Sequence, residues 1–311
     1  MFNSTSRIQN IEFPGYLINA AVPSALAIAD IKKMTDAGSA GILIKSCTLE
    51  PREGNPEPRY VDLPMGSLNS IGLANPGYLE YKKYLAELRD SGYEKPLVIS
   101  VAGFSATDYR LLTEAFQDSA ADLIELNLSC PNVEGGKVIG YDFVALAEIV
   151  KQTRGLGSKL VGYKLPPYPD AGMIKEVSEI MLEHKADFIV STNTLGNSLA
   201  IDADTESVMM KAGNGFGGLA GKYIKPIALG NVRRFYEAFK GEIPIIGSGG
   251  IYSGRDVFEF LLAGADLVEI GTAFYQQGTG LFAQINEEFK AIMESKNYEN
   301  IEAAKGNLKF L

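Results

Sequence analysis

The sequence predicts an α/β fold, a single (β/α)8 TIM barrel with long active-site insertions after strands 2 and 6. Three observations carry that prediction. Eight short runs rich in Val, Ile and Leu recur along the 311 residues. They are apolar almost throughout instead of alternating, as strands buried on both faces must be. Amphipathic segments long enough for helices separate them. A doubly wound sheet is the rival arrangement, but eight strand–helix units favour closure.

The runs lie at 16–22, 41–46, 97–102, 123–128, 160–165, 188–192, 243–247 and 267–271. Helices are expected at 24–37, 76–91, 106–118, 142–154, 171–185, 226–240, 254–263 and 280–295. In the third of these, Leu111, Leu112, Ala115 and Phe116 have the spacing of a buried helix face. Gly38, Gly92 and Gly264 follow helical segments and read as C-terminal stops. Two connections, 47–75 and 193–225, are too long for plain turns. Both leave the C-terminal end of a strand, where barrel enzymes build their sites. No linker or repeat divides the chain, so residues 1–311 are expected to form one domain.

The formal net charge of −9 argues against nucleic acid or anionic membrane as a main partner. The basic pairs Lys82-Lys83 and Arg233-Arg234 fall in helical stretches and read as solvated faces. Two cysteines, Cys47 and Cys130, make neither a disulfide framework nor a cluster site. One histidine, His184, late in a helix and expected to be exposed, leaves no His-rich metal site and no Ser-His-Asp triad. No metal is expected. The N-terminal stretch lacks a basic region followed by an apolar run, and no stretch approaches the ~18 apolar residues of a membrane helix. The expected location is cytoplasmic.

The chemistry-bearing residues cluster just after strands. Gly247-Ser248-Gly249-Gly250 follows the seventh and Gly271-Thr272 the eighth, the usual phosphate site of a barrel. After the fourth comes Asn127-Leu128-Ser129-Cys130-Pro131-Asn132. Alternation puts Asn127 and Ser129 on one side and leaves Cys130 and Asn132 on a loop at the mouth. Free cysteine is most often a small core hydrophobe, yet one set between two amides reads as reactive. Lys45 and Lys164 end two apolar strands, and lysine is rarely buried without an anion or an electron-rich partner. Asn69 and Asn193 add amides on the long loops. Ammonium groups, amides, a thiol and a phosphate cradle suit a planar heterocycle with alternating N–H and C=O edges.

These motifs resemble class 1 dihydroorotate dehydrogenases, and among them the soluble, fumarate-reducing class 1A. The matching stretches are KSCTLEPREGNPEPRY (45–60), GSLNSIGLANPG (66–77), LNLSCPN (126–132), KLPPY (164–168), STNTLGN (191–197), GFGGLAGKYIKPIALGNVRRFY (215–236), IIGSGGI (245–251) and EIGTAF (269–274). They follow family order over nearly the whole chain.

The resemblance implies FMN across the barrel mouth, its phosphate on Gly249, Gly250, Gly271 and Thr272. Ala20, Ala21, Lys45, Ser46, Asn127, Thr192 and Gly221 would contact the cofactor, with Lys164 near the flavin N1/C2 carbonyl. Asn69, Asn127, Asn132 and Asn193 would bind dihydroorotate, flanked by Lys45, Ile71, Gly72, Leu73 and Thr194. Cys130 would remove the C5 proton as the C6 hydride leaves, with Lys45 as the nearby charge favouring thiolate. Residues 133–140 would form a loop over the substrate. The resemblance also implies fumarate as oxidant and a homodimer.

The chain departs from the family pattern at Ala21 and Val22, where Ser-Gly is usual, and at Ile71 and Ala74, where class 1A usually has Met and Pro. Those departures leave open a paralogous FMN oxidoreductase acting on another dihydropyrimidine-like or cyclic imide ring. The catalytic subunit of an NAD-linked class 1B complex is a further alternative. A non-redox barrel with Lys164 as a Schiff base and a non-catalytic flavin-binding protein complete the alternatives.

Overall fold

The structure, a computed structural model, describes residues 2–129 and 138–311. Eight parallel strands form its central sheet: β1 (Leu17–Asn19), β2 (Ile42–Cys47), β3 (Leu97–Val101), β4 (Leu123–Asn127), β5 (Leu160–Leu165), β6 (Phe188–Ser191), β7 (Ile245–Ser248) and β8 (Leu267–Ile270). Their order is β1-β8-β7-β6-β5-β4-β3-β2, which curls the sheet into the predicted barrel. The ends, β1 and β2, meet at a seam that no strand ladder closes. The Asn19 side chain closes it instead. Its Nδ2 donates to the Leu43 carbonyl at 2.6 Å, and its Oδ1 accepts from the Leu43 N–H at 3.0 Å. A side-chain amide thus imitates one rung of a ladder.

Two apolar layers hold the barrel. Inside its N-terminal end, Ile18, Leu43, Val98, Leu123, Phe188 and Leu267 pack together. Ile8 and Phe13 plug that end from a hairpin, Ser6–Ile8 with Ile11–Phe13. The larger layer lies between the strands and the surrounding helices. Helices Ala106–Gln117, Phe143–Thr153, Ala171–Glu183 and Gly254–Ala263 begin on Ser105, Asp142, Asp170 and Ser253, whose side chains accept from first-turn N–H groups.

The structure corrects several expected boundaries. The helix expected at 24–37 is a short turn, Pro23–Ala25, and a five-residue helix, Ile28–Lys32, neither with a side-chain cap. The first strand ends at Asn19 because the chain turns there, with the Val22 N–H bonded to the Ala20 carbonyl. The buried stripe of Ala106–Gln117 is Tyr109, Leu112, Thr113 and Phe116, and Leu111 is exposed. His184 caps the end of Ala171–Glu183 half-buried, not exposed.

The two long connections do more than extend over the mouth. Tyr60–Leu63 and Gly66–Asn69, from the connection after β2, pair with each other. Gly66–Asn69 then pairs with Phe216–Gly221, from the connection after β6, and Leu195–Leu199 completes a four-stranded antiparallel sheet. Because β2 and β6 stand four places apart in a ring of eight, this sheet spans the barrel mouth. Among the described residues, no helix is long and apolar enough to cross a membrane.

Candidate functional site

Beneath that sheet lies a cavity walled by the C-terminal ends of the strands and the loops that follow them. The first strand contributes Ala20 and Ala21, the second Lys45, the fourth Asn127 and Ser129, and the fifth Lys164. Thr192, Asn193 and Thr194 enter from β6, Gly249 and Gly250 from β7, and Gly271 and Thr272 from β8. The spanning sheet and its loops add Asn69, Ile71, Leu73 and Gly221. Sixteen sequence-predicted site positions therefore share one wall with Ser129.

Two predicted positions stand elsewhere, and two more lie outside the described residues. Ser46 is fully buried beside the cavity, bonded to Ser100 Oγ at 2.9 Å and accepting from Asn127 Nδ2 at 3.2 Å. Its hydroxyl therefore supports Asn127 and does not line the cavity. Gly72 also lies outside the wall. It turns the loop with φ of 74°, and a Cβ there would stand 2.5 Å from Asn55 Oδ1. Cys130 and Asn132 lie outside the described residues, as do residues 133–137 of the expected covering loop. The far end of that loop is tied down: the Gly140 N–H donates to Leu128 O at 2.8 Å, and Tyr168 Oη donates to Gly140 O at 2.7 Å.

Among the described residues the wall carries no carboxylate, and its charged groups are the ammoniums of Lys45 and Lys164. Such a cavity favours anionic ligands. The amides form a network: Asn193 Nδ2 donates to Asn127 Oδ1 at 3.1 Å and to Ser129 Oγ at 2.5 Å, while Asn69 Nδ2 donates to Gly218 O at 3.2 Å. Locked rotamers of this kind preorganise polar groups for a ring edge. At the other end, Gly249 and Gly250 turn with φ of 126° and 77°. A Cβ on Gly250 would stand 2.6 Å from Lys225 Cβ and 2.8 Å from Gly221 O, so only bare backbone fits this cradle. Gly271 and the start of Thr272–Gln277 face it. Bare N–H groups in such turns bind phosphate.

Sequence reasoning missed what lies below Lys164. Glu269 Oε2 accepts from its Nζ at 2.5 Å, and Glu125 Oε2 is 3.6 Å away, all three side chains being buried. Burial alone would lower the lysine's pKa, but the two carboxylates outweigh it and hold the ammonium charged. The signal was available: an acidic residue inside each of the apolar runs LIELN and LVEIG demands a buried cation. Cys47 is free and buried in the helix-facing layer, where burial pushes its thiol up, so it is a packing residue. Among the described residues no cluster of His, Cys, Asp and Glu could hold a metal.

The family described as dihydroorotate dehydrogenase matches residues 4–293. Dihydroorotate dehydrogenase A (fumarate) of Lactococcus lactis subsp. cremoris strain MG1363 is 42% identical over 313 residues, spanning 100% of both chains. The protein of the same name from Lactococcus lactis subsp. lactis strain IL1403 is 42% identical over 304 residues, covering 97% of this chain and 98% of its own. A solved structure described as DHODH in complex with ferulenol, from Eimeria tenella, superimposes with a TM-score of 0.84 over 98% of this chain and 88% of that one. At 20% identity it supports the barrel fold alone. A match along nearly the whole chain, on a barrel whose mouth gathers the motifs that carry the resemblance, assigns the protein: it belongs to the dihydroorotate dehydrogenase family.

Proposed function

We propose that this chain oxidises dihydroorotate to orotate in pyrimidine biosynthesis, with FMN as resident cofactor and fumarate as electron acceptor. The observation that carries the reading is the convergence of a glycine cradle, two lysines and three asparagines on one cavity, with no carboxylate among the described residues of its wall. The cradle fits a phosphate, and the same wall carries the lysines and asparagines that a phosphate-bearing cofactor and a small ring substrate would meet. Relatives of the same length are named for this reaction with fumarate.

When bound, FMN supplies the acceptor for the substrate's C6 hydride. Gly249, Gly250, Gly271 and Thr272 hold its phosphate by backbone N–H groups. Ala20, Ala21, Thr192 and Gly221 give the flat ring room, and Lys164 offers an ammonium to its polar edge. Lys45, Asn69, Asn127, Asn132 and Asn193 bind the substrate's imide and carboxylate, between Ile71, Leu73 and Thr194. Cys130 takes the C5 proton as its thiolate, which a neighbouring positive charge such as Lys45 favours.

The chain acts as one domain, cytoplasmic and homodimeric. An exposed apolar patch supports the dimer: Leu199 beside Phe216, and Ile201 beside Val208, on adjoining hairpins of the spanning insertion. Anaerobic addition of dihydroorotate to the purified protein, then fumarate, tests the activity. The flavin band should bleach and return. A protein that is colourless, or whose band persists with dihydroorotate, refutes the reading.

A further inference from the structure

The eight barrel strands bury few ionisable side chains. Lys45 lines the cavity, while Cys47 and Tyr163 belong to the helix-facing layer. The remaining three, Glu125 of β4, Lys164 of β5 and Glu269 of β8, meet below the cavity floor. Apart from Lys45, the polar groups that the other strands bury are neutral: Asn19, Ser46, Ser100, Ser191 and Ser248. Two carboxylates against one ammonium would leave a net negative charge there, with Glu125 and Glu269 at 0% and 1% exposure.

The hydrogen bonding is also incomplete. Ser100 Oγ donates to Glu125 Oε1 at 2.7 Å, and Lys164 Nζ serves Glu269 Oε2. Glu125 Oε2 and Glu269 Oε1 are fully enclosed and have no hydrogen-bond donor among the described residues. Both carboxyl groups converge on one ammonium, at 3.6 Å for Glu125 Oε2 and 2.5 Å for Glu269 Oε2. Ionised carboxylates only accept, so two carboxylates buried against one ammonium, each with an oxygen lacking a donor, are short of a proton. A like-charged pair out of water ordinarily retains one.

We propose that Glu125 and Glu269 share one proton beneath Lys164 and act as positioning residues that keep its ammonium at the cavity floor while holding that floor electrically neutral. Burial, and next the Glu125 carboxylate, push Glu269 up to about 8 against the pull of Lys164. Loss of the proton to solvent breaks one O–H bond, moves no electrons, and turns the floor from neutral to singly negative. An anionic reduced flavin is then disfavoured. This consequence rests on the reading that FMN occupies the cavity; the shared proton itself does not.

Infrared spectra in H2O and D2O test the proton, with isotope-labelled glutamate separating the pair from Asp187 and Asp266, whose carboxyls desolvation also pushes up. The wild type should show a glutamic-acid C=O band below neutral pH that fades near pH 8. Glu269→Gln and Glu125→Gln should each lack it. In flavin-loaded protein, the plot of reduction potential against pH should steepen above about 8 in the wild type and stay straight in Glu269→Gln. One added charge at this range changes the reduced-to-oxidised ratio by about tenfold to a hundredfold, or roughly 30 mV per tenfold. A flavin-loaded wild type without the band overturns the proposal, and so does a band that survives in both variants. Should the variants fail to fold, the labelled wild-type titration decides alone. A wild type that shows the band but binds no flavin overturns the cofactor reading and leaves the shared proton standing.

Discussion

Replacing Asn19 by alanine should open the barrel seam. Two backbone groups of Leu43, its N–H and its C=O, depend on the Asn19 amide at 3.0 and 2.6 Å, and Asn19 and Leu43 are both fully buried. Each enclosed backbone group left without a partner costs about 1–3 kcal/mol. The expected loss is therefore about 3–5 kcal/mol, a large share of the ~5–15 kcal/mol that holds a folded domain. Urea unfolding of the flavin-free protein measures it, because bound cofactor would add its own stabilisation. Asn19→Asp keeps an acceptor for the Leu43 N–H but buries a charge and loses the donor, so it should be no better. The flavin should also be held more weakly in Asn19→Ala, since Ala20 and Ala21 line the cavity next to the seam. A loss below about 1 kcal/mol would refute the argument, showing that the seam is closed by packing and that the amide is incidental.

Other consequences can be checked more quickly. Cys130→Ala should keep its flavin and slow flavin reduction by at least about 100-fold, the scale of a missing general base; an undiminished rate refutes that role. Gly250→Ala should lose bound flavin, because a Cβ there would press on Lys225 and Gly221. Gly92→Ala, also at positive φ but with nothing within 4 Å, should cost only about 1 kcal/mol and keep the full load. Flavin-to-protein ratios compare the two, and equal loading contradicts the cradle. Ile201→Asp, at an exposed position in the apolar patch, should sediment as a monomer with its flavin spectrum unchanged. A wild type that is itself monomeric ends the dimer reading.

The barrel was legible because each buried parallel strand needs a continuous apolar run, and the chain spells eight of them. Lys45 and Lys164 were legible for the opposite reason: a charge ending such a run must have a purpose. The same argument applies to Glu125 and Glu269, but they sit inside their runs and not at the ends, where attention to the barrel mouth falls. The spanning sheet was harder to foresee. Phe216–Gly221 reads FGGLAG, with too many glycines to look like a strand. Its pairing with Gly66–Asn69 joins segments about 150 residues apart, which no local pattern encodes. The segment 24–37 erred in the other direction: its composition suits a helix, but without capping side chains only five residues hold one.

Barrel enzymes are often regarded as scaffolds whose loops can be exchanged singly to obtain new specificities. The pairing of Gly66–Asn69 with Phe216–Gly221 removes that freedom here. Trimming the earlier insertion would strand the glycine-rich partner with a row of unmet amides and carbonyls, an edge prone to self-association. Trimming the later one would do the same in reverse. The two segments are therefore inherited, and would have to be redesigned, as a single part.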